Sequence, residues 1–424
     1  MTSIGAALPG TATGASSVRH WKLPIVYGAI TLVALLLLVV LGRPGSATIG
    51  LNGGNAVQLP PLVLPARGTG IVTVLIGVVC TVISVLLTRS GRRQSIWLPI
   101  VFALAMLVGL LVWATSGETL PLPGLLAGSL ALSVPLIFGA LGGVISERVG
   151  VVNVAIEGQL LAGAFVSAVV GSLTKNLFAG LIAAMVAGVL VSFVLAAFAI
   201  KYLVDQVIVG VVLNVLVLGL TSFLYSAALV PASAALNSPP QFEPIAIPLL
   251  SAIPIIGPVL FDQTLIVYIM YVAVAAVTIG LFATRWGLRL RAVGEHPQAA
   301  DTVGINVSGT RFWNVSLAGA IAGLGGAYFT LAAVPSFSKD VTSGAGFIAL
   351  AAVIFGQWNP VRATLAALLF GFASNLQNVL GILNSPVPSD FLLMLPYLVT
   401  IFAVAGFVGQ VRGPAAAGKP YIKG

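Results

Sequence analysis

The sequence has few of the residues from which active sites and metal centres are built. It contains one cysteine and two histidines, and only 7% of its 424 residues are Asp, Glu, Lys or Arg. The single cysteine, Cys80, lies inside an apolar run, which excludes a disulfide within the chain and a thiolate metal cluster. With so few candidate nucleophiles, acids and bases, the sequence predicts no catalytic site and no metal site.

A nucleotide-binding loop is missing as well. The only Gly-Lys pair, Gly418-Lys419, is followed by Pro420, whereas a phosphate-binding loop needs Ser or Thr there at the end of a longer glycine pattern. We therefore expect no cofactor on this chain. If ATP and Mg²⁺ drive its activity, they bind to a partner subunit.

Apolar residues make up 59% of the chain, and the mean hydropathy is +1.12, far above that of a soluble domain. Runs of about 20 apolar residues recur, and each is long enough, as a helix, to cross the hydrocarbon core of a bilayer. The sequence therefore predicts an all-α, polytopic integral membrane protein with ten to twelve transmembrane helices. The predicted segments are 23–42, 70–88, 96–115, 125–144, 151–174, 177–200, 204–228, 263–283, 312–333, 346–357, 363–381 and 391–408. Because 346–357 is short for a full crossing, it is either re-entrant or spanning.

The net charge of +9 indicates orientation rather than nucleic-acid binding, because basic residues of membrane proteins concentrate in cytoplasmic loops. With twelve crossings and a cytoplasmic N-terminus, only Arg43, Arg67, Lys175 and Lys339 fall outside. The other 15 of the 19 basic residues fall inside. Both termini are therefore predicted to be cytoplasmic.

Two connecting segments lie outside the predicted helices. Residues 229–262 carry seven prolines on the external side and cannot form one continuous helix. Residues 284–311 form the longest cytoplasmic loop, and the charged residues of this otherwise apolar chain are concentrated there. Those of the stretch 287–307 are Arg289, Arg291, Glu295 and Asp301.

The same loop predicts a short docking helix. Pro297 is typical of a first helical turn and Gly304 of a helix end, with the small residues Ala299 and Ala300 between them. Small side chains on such a helix allow close approach to a groove on a partner. An ordinary basic loop, kept only for orientation, is the alternative.

A few polar residues inside the predicted helices are candidates for a substrate path. Asn153 and Glu157 are four residues apart, so a continuous helix would place both on one face, turned toward the protein interior. They line a path for solute or form a structural hydrogen bond between helices. Weaker candidates are Asn214, Asn375 and Gln377. Since no Lys or Arg lies inside a predicted span, the path favours a neutral polar solute.

Three separated motifs resemble one family of membrane transport proteins. Gln298-Ala299-Ala300-x-x-x-Gly304 is similar to the E-A-A-x-x-x-G coupling loop of ATP-binding-cassette (ABC) importer permeases, with Gln298 in place of the family's Glu. "GVISERVGVVNVAIEGQLLAGA" (143–164) and "GFIALAAVIFGQWNPVRATLAALLFG" (346–371) resemble the branched-chain amino acid/simple-sugar permease superfamily. Within it, the chain is most similar to nucleoside importer permeases that work with a basic-membrane-protein-type lipoprotein.

The resemblance implies a domain organisation and a set of partners. It covers residues 122–409 as the permease domain, with 1–121 as accessory transmembrane helices and 410–424 as a cytoplasmic tail. It implies a cytoplasmic ATPase, a second permease subunit (expected to be a different sister chain) and an external substrate-binding lipoprotein, in a bacterial cytoplasmic membrane. Membrane lipids are the remaining partner, and no nucleic acid is expected. A simple-sugar permease, a proton-coupled transporter using Glu157 and a non-transporting membrane scaffold are the alternatives.

Overall fold

A computed structural model describes residues 21–53, 58–92, 94–383, 385–388, 390–392, 394 and 413–423. Fifteen helices lie in this part of the chain: α1 Lys22–Val40, α2 Ala66–Arg89, α3 Trp97–Ala114, α4 Leu122–Arg148, α5 Ile156–Thr174, α6 Leu177–Lys201, α7 Gln206–Leu229, α8 Ser233–Leu236, α9 Ile256–Leu260, α10 Leu265–Ala283, α11 Arg285–Glu295, α12 Pro297–Thr302, α13 Val307–Ala333, α14 Ala345–Phe355 and α15 Pro360–Ile382.

Ten of these helices are long and apolar enough to cross a bilayer, so the predicted all-α polytopic fold is confirmed. They are α1 to α7, α10, α13 and α15. The predicted run at 391–408 falls almost entirely outside the described residues.

Short strands occupy some of the connections: β1 Ser46–Gly50, β2 Leu62–Pro65, β3 Thr119–Pro121, β4 Ile245–Ala246 and β5 Asp262–Gln263. Strands β4 and β5 pair antiparallel, with Ile245 opposite Gln263. The proline-rich segment 229–262 is thus built from short helices, one strand and turns, which confirms that it forms no continuous helix.

The chain divides into two compact units. One comprises residues 1–48 and 63–118, and its described helices are α1, α2 and α3. Their contacts centre on Tyr27, Cys80 and Phe102, with the rings of Tyr27 and Phe102 stacked 4.4 Å apart. Apolar side chains such as Leu75 and Val101 remain exposed on these helices, as expected for surfaces that face lipid.

The second unit comprises residues 49–62 and 119–424 and contains α4 to α15. Its core is formed by α4, α5, α6, α13 and α15, and Phe138 and Leu141 of α4 are completely buried there. Close packing depends on small residues: a Cβ atom on Gly323 of α13 would collide with the carbonyl of Ala184 in α6. Helices α6 and α13 therefore approach to backbone contact.

The segment between α13 and α15 is only partly helical. At one end, the Phe337 amide donates to Asn237 Oδ1 at 2.6 Å. At the other end, Arg148 Nε donates to the Trp358 carbonyl at 2.9 Å. Between them, residues 334–344 are non-helical and α14 supplies only 11 helical residues. Helix α14 is therefore too short for a full crossing and is not one of the ten crossing helices, so that a re-entrant or a spanning course for 346–357 stays a prediction.

Candidate functional site

Helix α14 begins inside the protein, and the carboxylate of Glu157 covers its first turn. Glu157 is 7% exposed. One of its oxygens accepts from Thr342 Oγ1 at 2.5 Å and from the Gly344 amide at 2.9 Å. The other oxygen accepts from the Gly346 amide at 2.5 Å. A helix N-terminus carries unpaired N–H groups and a partial positive charge, so a buried carboxylate is stable there.

Glycine is required where the two elements meet. A side chain at Gly346 would collide with the backbone of Glu157, and Gly344 has a φ of 82°, which favours glycine. The sequence Thr342-Ser343-Gly344-Ala345-Gly346 therefore supplies a hydroxyl, two amides and the space for the carboxylate. We did not predict this binding sequence; its signal is the pair of glycines at the start of a short apolar run.

Helix α5 also begins inside the second unit. Its first residue, Ile156, packs against positions Gly139 and Gly143 of α4. These lie five and nine residues before Arg148, the last residue of α4. At 1.5 Å of rise per residue, the start of α5 is displaced from that end by about 10 Å. Residues 151–155 connect the two helices without helical structure.

This break makes the predicted shared face of Asn153 and Glu157 wrong. Asn153 precedes the helix, so the four-residue helical spacing does not apply to the pair. The Asn153 side chain is fully buried and exchanges hydrogen bonds with Gln159, at 3.1 and 3.3 Å. The amide of Gln159 also donates to Ser192 of α6 at 2.9 Å, which ties the connection to a second helix.

Two side chains of α7 satisfy the backbone of the same connection. Asn214 accepts from the Gly158 amide and donates to the Val154 carbonyl, both at 2.8 Å. Gln206 accepts from the Val152 amide at 2.7 Å. Buried backbone groups outside a helix need such partners. Asn214 was predicted as a candidate, whereas Gln159 and Gln206 were missed because glutamine alone carries no distinctive spacing.

The remaining path candidates lie elsewhere. Asn375 is buried and donates to the Leu125 carbonyl of α4 at 2.7 Å, so it lies near the start of α4 rather than its end. Gln377 is half-buried on the same helix, α15. The structure therefore brings Asn153, Glu157 and Asn214 together around the start of α5, apart from Asn375 and Gln377.

The predicted docking helix is present. Helix α12 begins at Pro297 and ends at Thr302, and Gly304 follows with a φ of 85°. The preceding residues, expected to be a loop, instead form α11 over Arg285–Glu295, with Thr284 Oγ1 capping the Gly287 amide at 3.2 Å. Its buried residues Gly287, Leu290, Val293 and Gly294 do follow a helical spacing, but the charged residues between them favoured a loop in the sequence-based prediction.

The two alanines of α12 differ in exposure. Ala300 is 3% exposed and packs in the core of the second unit, so its predicted contact with a partner is wrong. A single turn of helix presents one face to the core and the other to its surroundings. The outward face carries Gln298 and Ala299, and Val303 beyond the helix end is 75% exposed.

The charged residues of the loop point in several directions. Arg289 is exposed beside Trp286 and Trp313. Arg291 lies over the ring of Phe282, 5.3 Å from its centre, and donates to the Gly287 carbonyl at 3.3 Å. These two residues therefore do not lie on the outward face of α12.

Glu295 and Asp301 both contact the C-terminal residues 413–423. The Ala415 amide donates to Glu295 Oε2 at 3.2 Å. Partial desolvation, and next the hydrogen bond of its hydroxyl to Asp301, raise the pKa of the Tyr421 phenol. The cytoplasmic tail of the sequence prediction is thus packed against α11 and α12.

One arginine contradicts the expectation that no cation is deeply buried. Arg311 lies in the second turn of α13 and is only 2% exposed. Its Nη1 donates to the Lys419 carbonyl at 3.0 Å, and a Cβ atom at Gly150 would lie 2.9 Å from its Nη2. Only Nη1 of its guanidinium has a hydrogen-bond partner among the described residues, so the expectation that no cation is deeply buried is wrong at this position.

The described residues contain no group of three or more His, Cys, Asp or Glu side chains that would hold a metal ion. Their polar clusters instead combine amide and hydroxyl groups with the hydrogen-bonded carboxylate of Glu157, beside the non-helical segments 151–155 and 334–344. Amide and hydroxyl groups exchange hydrogen bonds with a polar solute. Broken helices with buried polar groups, within ten helices long enough to cross a membrane, define a polytopic transport protein.

The particular family follows from comparison with known proteins. The chain belongs to the family of branched-chain amino acid transport system permease components, whose profile matches residues 125–404. It is a permease subunit of an ABC transporter and not an enzyme, since the ATPase of such transporters is a separate subunit. A separate ATPase and a second permease subunit are its partners, and a cell membrane is its location.

Several relatives match more than half of the chain. The chain is 42% identical to the guanosine ABC transporter permease protein NupQ of Bacillus subtilis, over 70% of this chain and 95% of NupQ. It is 41% identical to the nucleoside ABC transporter permease protein NupC of Lactococcus lactis, over 70% of this chain and 96% of NupC. A putative glucose ABC transporter permease protein of Haloferax volcanii, TsgC13, is 35% identical over 60% of this chain and 77% of TsgC13. No solved structure matches the chain at a significant level.

Replacement of Glu157 tests its role at the start of α14. Glu157→Leu leaves the hydroxyl of Thr342 and two buried amides without their acceptor, which costs about 1–3 kcal/mol for each unsatisfied group. We expect a lower unfolding temperature in detergent and loss of uptake. Glu157→Gln retains one acceptor oxygen, so its unfolding temperature and its uptake are expected to lie between those of Glu157→Leu and wild type.

The exposed acid Glu243 supplies the control, because Glu243→Gln also removes one negative charge but no buried bond. Wild-type stability and uptake of a Glu157→Leu protein would exclude both a structural and a transport role for this carboxylate.

Proposed function

We propose that this chain is the permease subunit of an ABC importer that moves nucleosides across a bacterial cytoplasmic membrane. The observation that carries the substrate class is the 42% identity to a guanosine permease over 95% of that protein. The chemistry of the chain agrees with it. The polar side chains around the start of α5 are amides and one carboxylate that is hydrogen-bonded to the first turn of α14, which suits a neutral solute with many hydroxyl groups.

The proposed substrate path passes the two helices that begin inside the protein. Residues 151–155 and 334–344 are non-helical within the second unit, and non-helical backbone at membrane depth is tolerated where protein buries it or a cavity adjoins it. Asn153, Glu157 and Asn214 border one part of this path, and Asn375 with Gln377 border another. Movement of α14 relative to α5 exchanges their present hydrogen bonds for bonds to the solute.

The movement driven by ATP hydrolysis is transmitted from the ATPase to this chain through α12. The outward face of this helix, with Gln298 and Ala299, docks on the cytoplasmic ATPase and follows its closure. Helix α11 connects α12 to the membrane part of the chain, since Gly294 packs directly against the Arg148 carbonyl at the end of α4. ATP and Mg²⁺ bind to the ATPase alone. An external lipoprotein delivers the substrate, and the second permease subunit is a different sister chain.

Docking to a cytoplasmic ATPase requires that α11, α12 and the C-terminal tail face the cytoplasm, as the distribution of Lys and Arg also indicates. Single cysteines at Lys423 and Ala246, both exposed, test this orientation in a Cys80→Ser background. We expect an impermeant thiol reagent to label them from opposite sides of intact cells and inverted vesicles. Labelling of both from one side contradicts the orientation.

Uptake into proteoliposomes that contain the complete transporter tests substrate and energy source together. We expect radiolabelled guanosine to accumulate with internal ATP. Unlabelled nucleosides are expected to compete at least tenfold better than glucose, because the site binds both the ribose and the base. Each factor of ten in affinity corresponds to about 1.4 kcal/mol of binding free energy. Glucose uptake without guanosine uptake would assign the chain to a sugar transporter. Accumulation driven by a proton gradient without ATP would contradict the ABC mechanism.

A bulky residue on the outward face of α12 tests the docking. Ala299 is exposed, so Ala299→Trp leaves the unfolding temperature of the isolated permease unchanged. Where the partner approaches closely, the indole ring prevents contact, and we expect at least a tenfold loss of ATPase affinity and of uptake. Ala235→Trp is the control, because Ala235 is an exposed alanine within the short helix α8, and it retains both. Normal ATPase retention by Ala299→Trp would remove α12 from the docking surface.

A further inference from the structure

The C-terminal residues form a fixed wall beside α12. Between them lies a groove of about 550 Å³, with Gln298 and Ala299 on one side and Lys419, Tyr421 and Ile422 on the other. This volume is within the range of sites that hold side chains or small ligands. The groove is continuous with the outward face of α12.

Four contacts hold the tail in place. The Ala416 amide donates to the Gly294 carbonyl at 2.9 Å, and the Ala415 amide donates to Glu295 Oε2 at 3.2 Å. Further along, the Lys419 carbonyl accepts from buried Arg311 at 3.0 Å, and the Tyr421 hydroxyl bonds to Asp301. Because Ala416 is only 5% exposed, this segment is packed as an ordered part of the second unit.

Beyond these contacts the tail exposes an apolar side chain. Ile422 is 71% exposed next to the groove, and Val303, at the end of α12, is 75% exposed. Both lie outside the ten membrane-crossing helices. Exposed aliphatic groups that flank a groove are typical of a surface that a protein partner covers.

We propose that residues 419–422 form the second wall of the ATPase docking site, opposite α12. The inference rests on the proposed docking of the ATPase at α12, and it adds a surface that the coupling motif does not contain. A partner that approaches the outward face of α12 meets Tyr421 and Ile422 in the same groove. When the ATPase moves, such a composite site transmits the movement along two routes. The tail contacts α11 directly, and it contacts α13 through Arg311.

The tail wall is tested with an exposed substitution that leaves the fold intact. Ile422→Asp places a charge where the ATPase is expected to cover an apolar group. The probe is the purified ATPase subunit of the same transporter, and binding is measured to the full transmembrane assembly in nanodiscs. We expect about a tenfold increase in Kd, a corresponding loss of ATP-driven uptake and an unchanged unfolding temperature. Ile256→Asp, with Ile256 52% exposed in α9, is the matched control and retains wild-type binding.

Comparison with Ala299→Trp distinguishes this inference from the docking on which it rests. If Ala299→Trp weakens ATPase binding and Ile422→Asp does not, α12 docks alone and the second wall is refuted. If neither variant weakens binding, the ATPase docks elsewhere and both proposals fail. Weakening by both, with stable protein and an unaffected control, supports the composite site. A second variant shows whether local unfolding of the tail explains the result. Tyr421→Phe removes the hydroxyl that bonds to Asp301 and so loosens the tail without changing Ile422. We expect it to weaken binding of the ATPase less than Ile422→Asp does.

Discussion

The contact between the Glu157 carboxylate and the first turn of α14 is the interaction on which the second unit depends. A carboxylate is costly inside a membrane protein unless several donors satisfy it. Here one hydroxyl and two backbone amides do so, and the partial positive charge of the helix start adds to them. The same bonds satisfy amides that a helix beginning inside the protein leaves unpaired. Removal of either partner therefore leaves the other buried and unsatisfied.

This contact joins the starts of α5 and α14, each of which follows a non-helical segment. The start of α5 is displaced by about 10 Å from the end of α4, and α14 is a helix of only 11 residues. Amide side chains of α7 satisfy the backbone of the first break, while Asn237 binds the backbone at Phe337 near the second. Interrupted helices joined by a few directional bonds have a small number of alternative arrangements, which suits a transporter that alternates between two open states.

At the other functional region, the chain builds its coupling surface from parts that are distant in sequence. Helix α12 turns Ala300 into the core and Ala299 outward, and α11 connects it to the end of α4. The C-terminal residues lie alongside, held by Arg311 of α13. Burial of an arginine costs free energy, because its guanidinium must be desolvated. Its presence is consistent with a tail whose position matters for function.

The sequence alone determined the membrane class, the approximate positions of the ten described crossings and the short helix after Pro297. Length and hydropathy suffice for the crossings, because a bilayer demands about 20 apolar residues per helix. Proline and glycine suffice for the ends of α12, because their backbone preferences are local. The family resemblance came from the same source, since its motifs are contiguous words of sequence.

Only the tertiary structure decided what the polar residues do. The pairing of Asn153 with Gln159 instead of with Glu157 depends on where α5 starts, and that start is fixed by α4, α7 and α14 rather than by the local sequence. The burial of Ala300 depends on the packing of one helical turn against the core. The bond between Arg311 and the tail joins residues that are more than 100 positions apart in the sequence. Helical period and propensity describe a segment by itself, whereas a buried hydrogen bond is defined by both partners. The second partner is supplied by the fold.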